Sequence, residues 1–182
     1  MVELNRMSIS GTIGEYEHIN ECKNIEDSDM KEDSLFESLT KMGKKHNNAI
    51  RLGTLFIDKK SAKINKFRYN QKGAILTVAL SEEQITNKKY DLDNLLINPA
   101  FTDTLMQSCG VHASVDTDRV YLPWKIGEFG IVKVPREAGL FRSYAKLIES
   151  NDDEKVYDVI LVNEDDEVNY YAKNVIVKRI NQ

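Results

Sequence analysis

The chain has 182 residues, 41% of them hydrophobic and 30% charged, enough for one well-packed domain and too few for two of ordinary size. A net charge of −4 and an isoelectric point near 5.5 argue against nucleic acid or an anionic membrane as the main partner, because both demand a basic surface. No apolar run approaches the ~20 residues of a membrane span and the N-terminus lacks a signal-peptide pattern, so the expected location is the cytoplasm.

Met7, Ile9 and Ile13 alternate with polar residues and predict one short strand. Glu21 to Asp33 then reads as a solvated acidic linker: residues 1–33 hold nine acidic side chains against Arg6, Lys23 and Lys31, a net of −6. The predicted organisation is therefore a strand and linker over 1–33 and a folded domain over 34–182. Asp33 or Ser34 caps a predicted helix from Leu35 to Met42, stopped by Gly43. Strands are predicted at Ile50–Ile57, Ser61–Tyr69 and Gly73–Leu80, with turns at Asp58-Lys59-Lys60 and Asn70-Gln71-Lys72-Gly73. A polar segment from Ser81 to Asn94 follows.

Leu96 to Gly110 is the stretch around which the rest is arranged. Asn98 is a good N-cap, Pro99 fits the first helical position, and Gly110 can form a left-handed helix exit. Phe101, Leu105 and Cys109 recur every four residues and form an apolar stripe that must face a core. Asp103 and Gln107 are also four apart and share a second face. Five strand candidates follow: Val120–Trp124, Glu128–Val134, Leu140–Glu149, Val156–Asn163 and Val168–Ile180. The last three are joined by acidic turns at 151–154 and 163–167. One short buried helix among many antiparallel strands predicts an α+β fold.

Asn98-Pro99-Ala100 through Asp103 to Gln107, followed by Tyr121-Leu122-Pro123-Trp124-Lys125-Ile126-Gly127, resembles the second half of a polyketide synthase dehydratase domain. That family carries a His-Pro-x-x-x-Asp-x-x-x-Gln helix followed by a Leu-Pro-Phe-x-Ile strand, within a double hotdog of two helices each wrapped by an antiparallel sheet. The resemblance runs more loosely from about Ser34 to the C-terminus and implies a single hotdog here. It also implies that residues 1–33 correspond to the last strand of a first hotdog and the connection out of it.

Elimination of water from a β-hydroxyacyl thioester needs a base for the α-proton and an acid for the departing hydroxyl. By resemblance Asp103 is the acid, Gln107 orients it, and Asn98, Pro123 and Trp124 line the substrate. The family's base lies in a His-x-x-x-Gly-x-x-x-x-Pro motif that this chain lacks; Asn98 also replaces the helix-start histidine, and Lys45 to Arg51 stands where the family has Tyr-Gly-Pro-x-Phe. His18, His46 and His112 read as surface or structural residues, with His112 beyond the helix end, and Cys109 reads as core. Cys22 and Cys109 are expected to be free thiols, and no metal-ligand spacing is present.

The implied function is a dehydratase half whose site is completed by an N-terminal dehydratase half on another synthase polypeptide. Such a chain is a poor dehydratase alone. No cofactor is expected, the substrate being carried on the phosphopantetheine of an acyl carrier protein. An inactive scaffold or docking domain of a synthase, and a homodimeric single-hotdog thioesterase or hydratase, are the alternatives.

Overall fold

The computed structural model describes residues 13–26, 29–33, 63–85, 97–117 and 119–180. The elements are α1 (Ile13–Lys23), β1 (Lys31–Asp33), β2 (Lys63–Asn70), β3 (Gly73–Leu80), α2 (Glu82–Ile85), α3 (Pro99–Ser114), β4 (Tyr121–Lys125), β5 (Glu128–Ile131), β6 (Gly139–Ser150), β7 (Glu154–Val162) and β8 (Val168–Arg179). The strands form one antiparallel sheet in the order β1-β2-β3-β6-β7-β8-β4, with β5 pairing on β8 beside β4.

Alternation along the strands gives the sheet two apolar faces. Phe67, Leu76, Phe141, Val159 and Tyr170 point inward with Phe101, Leu105 and Cys109 of α3. Ile75, Tyr144, Ile160 and Tyr171 point outward, where Cys22 and Ile25 cover them. The Phe101 ring meets Phe141 edge-on at 4.8 Å and Tyr170 at 6.0 Å, fixing the start of α3 on the sheet. Ser108 Oγ and Ser143 Oγ share a 2.8 Å hydrogen bond halfway along, so two buried hydroxyls satisfy each other. Full burial of Phe101 and Leu105 contributes about 2–3 kcal/mol each. A helix packed on one face of an antiparallel sheet is the hotdog arrangement that the resemblance implies.

Three sequence expectations are corrected. α3 runs to Ser114, four residues past Gly110, because Ser108, Val111, His112 and Ala113 all find buried places against the sheet. Gly110 sits inside the helix, where an added side chain would meet the Tyr121 carbonyl at 3.4 Å. The acidic segment is not simply a solvated linker: Ile13–Lys23 is helical, Cys22 and Ile25 are buried, and β1 pairs with β2. Spacing explains the miss, since His18, Cys22 and Ile25 form a helical stripe that acidic neighbours obscure. The strand proposed from Met7 ends in this helix, and its residues before Ile13 lie outside the described ones. So do the Leu35–Met42 helix, the Ile50–Ile57 strand and the 58–60 turn.

The strands at 63–80 and from 121 onward fall close to their expected bounds. The Asn70–Gly73 hairpin forms with Asn70 Oδ1 accepting from Lys72 N at 2.9 Å and Gly73 N at 3.2 Å.

Candidate active site

Asn98 opens α3. Its Oδ1 accepts from Ala100 N at 2.9 Å, and its Nδ2 donates to the Ile85 carbonyl at 3.2 Å, so one side chain caps α3 and ties α2 to it. The residue is only 3% exposed, and both polar atoms of its side chain serve the fold. Pro99 follows at the position where a missing N–H costs nothing.

One turn on, Gln107 Nε2 donates to Asp103 Oδ2. Both side chains are partly buried. Burial raises the Asp103 carboxyl from its ordinary 3.8 to about 7, while the bond from Gln107 favours the ionised form and opposes that rise. Desolvation is the larger effect. The result is a carboxyl that carries a proton for much of the time at neutral pH and can donate it.

The stripe that holds Asp103 and Gln107 continues through Gly110 and Ser114. Ser114 Oγ donates to the Gly110 carbonyl at 2.8 Å and accepts from Tyr121 N at 3.1 Å, so this side of α3 runs beside the edge formed by β4. Pro123 and Trp124 lie on that edge and are exposed, Trp124 to 70%, with Lys178 Nζ 5.3 Å above its ring. No hydrogen bond or ring contact among the described residues joins either to Asp103. The structure therefore brings Asp103 and Gln107 together, makes Asn98 a cap, and leaves Pro123 and Trp124 on a neighbouring edge. Ile126 and Val132 are also exposed on this edge, whereas Tyr121 is buried and Phe129 and Ile131 pack against the core.

His18, His112 and both thiols are occupied elsewhere, and His46 lies outside the described residues. His112 is buried on α3, with Nδ1 2.8 Å from Tyr157 Oη and Nε2 2.8 Å from the Asn70 carbonyl; burial holds its pKa below the ordinary 6.5. It pins α3 to β7 and to the β2–β3 turn. Extending the apolar stripe from Leu105 through Ser108 to His112 would have found it, had Gly110 not been read as a stop. His18 is buried under α1 with Nδ1 3.4 Å from Asp158 Oδ2. Burial pushes the Cys22 thiol up to about 12 and the Cys109 thiol well above its usual range, so neither is an activated nucleophile. Open clefts of about 440 and 460 Å³ lie by the β5–β6 connection and by the end of α3; Asp103 lines neither. No group of metal-ligating side chains occurs among the described residues.

A family model described as the polyketide synthase dehydratase N-terminal domain matches residues 61–182. The chain belongs to the polyketide synthase dehydratase family. A search of curated proteins gives no match. Among solved structures, an inactive mutant of the CurJ dehydratase in complex with a compound is 12% identical, with a TM-score of 0.52, covering 65% of this chain and 41% of that one. The dehydratase domain of RzxB from Pseudomonas fluorescens is 15% identical, with a TM-score of 0.50 and coverage of 63% and 40%. The PaaI protein of E. coli, from the phenylacetic acid degradation operon, is 10% identical, with a TM-score of 0.52 and coverage of 80% and 93%. These likenesses establish the hotdog fold. The chain spans about two fifths of the dehydratase structures and nearly all of PaaI.

Proposed function

We propose that the chain is the aspartate-bearing half of a polyketide synthase dehydratase, completed by a second hotdog that supplies the base. The observation that carries this reading is Asp103: a partly buried carboxyl on the central helix, oriented by Gln107, with its pKa raised to about 7. In the reaction the partner's base removes the α-proton of a β-hydroxyacyl thioester, the Cα–Cβ double bond forms, and the Cβ–O bond breaks. Asp103 gives its proton to the departing hydroxyl, which leaves as water. Gln107 engages Oδ2, leaving Oδ1 to carry the proton.

The matched family model is described as the N-terminal domain, whereas the Asp103 helix and the Tyr121–Gly127 strand that follows it resemble the second half. The sequence favours the second half. A first half would carry His-x-x-x-Gly, and the residues four beyond His18, His46 and His112 are Cys22, Ile50 and Asp116. The exposed Trp124, Ile126 and Val132 on the β4–β5 edge and the greater length of the dehydratase structures support completion by another hotdog. On this reading the substrate arrives on the phosphopantetheine of an acyl carrier protein.

The test is reconstitution. The chain is mixed with a separately produced hotdog half bearing the histidine motif, and enoyl product is followed from a β-hydroxybutyryl carrier-protein thioester. Turnover in the mixture, with rates about 10²- to 10⁴-fold lower for either half alone, is the expected result. An assembled mixture without turnover favours a second reading, that of an inactive scaffold. The absence of the histidine motif, and the use of Asn98 as a cap, speak for that reading.

A further inference from the structure

Lys155 alternates along β7 with the inward-facing Tyr157 and Val159, so its side chain is carried to the same side of the sheet as α3. It lines the open cleft of about 460 Å³ at the C-terminal end of that helix. There Nζ donates to the Ala113 carbonyl at 3.0 Å and stands 5.0 Å from the centre of the Tyr121 ring. The bond to Ala113 satisfies a carbonyl at the helix end, where partners within the helix run out. It uses only one of the three N–H donors of the ammonium.

What the ammonium lacks is a counter-ion. The three acids that precede it are held by other bases: Asp152 by Arg119 at 3.3 Å, Asp153 by Arg179 at 2.9 Å and Glu154 by Lys178 at 2.5 Å. The acids of the cleft are engaged as well. Asp116 meets Lys31 at 3.5 Å and the Tyr69 hydroxyl at 3.4 Å, and Asp29 accepts from Asn70 Nδ2 at 3.3 Å. Among the described residues no carboxylate forms an ion pair with Lys155. Burial holds its pKa below the usual lysine range, with no opposing charge to restore it. A half-buried charge in this state costs free energy that a bound anion recovers.

From the unpaired ammonium and the cleft beside it, we infer a binding site for a small organic carboxylate, with Lys155 as its counter-ion. One ammonium matches one negative charge. A phosphate dianion would bring a second charge toward Asp116, Asp29 and the carbonyl end of α3, which repel it. Val115 and Leu147 give the hydrocarbon part of a carboxylate an apolar wall, and the volume suits a small molecule. His112 also lines the cleft, but both of its ring nitrogens are engaged, which leaves the recognition of charge to Lys155. Asp103 lines no part of this cleft, so the inference stands apart from the dehydratase reading.

The test titrates sodium butyrate into the full 13C-labelled chain and follows the Lys155 13Cε signal. A saturable shift centred on Lys155, Val115 and Leu147 is expected, with a Kd of about 1 mM. Butyrate should also raise the titration midpoint of Lys155, because the bound anion favours the charged amine. Lys155→Met keeps the stem and removes the charge, and should weaken binding at least about tenfold. Lys155→Arg should hold binding within a few-fold of the wild type, and butylamine, with a similar body and the opposite charge, should not bind. Shifts that do not saturate, or binding unchanged in Lys155→Met, overturn the proposal. Chloride or inorganic phosphate displacing butyrate at equal concentration would mark an adventitious ion only, and overturns it too. Should Lys155→Met destabilise the end of α3, the wild-type midpoint is the measure: no rise at saturating butyrate rejects the site.

Discussion

Gln107 donates a side-chain N–H to Asp103 Oδ2 across one turn of α3, and this bond opposes the burial that surrounds it. Desolvation raises the carboxyl pKa, the amide lowers it, and desolvation wins. A carboxyl 13C titration should therefore place Asp103 near 7. Gln107→Leu should move the midpoint higher, because it removes the contact that favours the ionised form. A downward shift would show that the amide raises the carboxyl pKa.

Stability should depend on pH through two groups acting in opposite directions. Asp103 holds its proton more tightly folded than unfolded, so its contribution falls as pH rises from the ordinary 3.8 through about 7. His112 is held neutral by burial, so its contribution is full above the ordinary 6.5 and is lost as pH falls. The two offset in the wild type. Asp103→Asn leaves the His112 effect unopposed: urea unfolding should show stability rising with pH up to the ordinary 6.5, and exceeding the wild type at about pH 8 by about 2–4 kcal/mol.

His112 and Tyr157 form a structural pair. Tyr157→Phe leaves His112 Nδ1 buried without its partner and should cost about 1–3 kcal/mol in urea unfolding. Turnover of the reconstituted domain should be unchanged below the unfolding transition. A specific loss of turnover would give His112 a role in the reaction.

Most of the sheet was legible in the sequence because β-branched and aromatic residues alternate between acidic turns, and Asn70-Gln71-Lys72-Gly73 carries its own hairpin chemistry. The start of α3 was equally plain from Asn98 and Pro99. Its end was not, since a glycine inside a helix and one at a helix exit look alike until Tyr121 is seen passing beside it. The Asp103–Gln107 pair followed from spacing alone. The depth of its burial did not, because desolvation depends on residues far away in sequence. Asn98 resembled a substrate contact by position, yet the fold uses both of its polar atoms. The packing of α1 was hidden by its charge, which marked it as solvated while Cys22 and Ile25 sought the outer face.

Gly73 stands where β3 turns closely against β6. A methyl group there would lie 2.0 Å from the Ala145 carbonyl, and the backbone φ of +156° disfavours a side chain. Gly73→Ala should push the strands apart and cost about 2 kcal/mol or more in urea unfolding. Gly110→Ala, whose nearest new contact is an ordinary 3.4 Å, should be tolerated or mildly stabilising.

Asp103 is the residue on which the functional account rests, and turnover of the reconstituted domain tests it most directly. Asp103→Asn keeps the shape and removes the transferable proton. Dehydration of the β-hydroxybutyryl carrier-protein thioester should fall about 10²- to 10⁴-fold while the melting temperature holds or rises. Turnover within a few-fold of the wild type would contradict the assignment of Asp103 as the acid. A large loss of melting temperature without a specific loss of turnover would make it a structural residue.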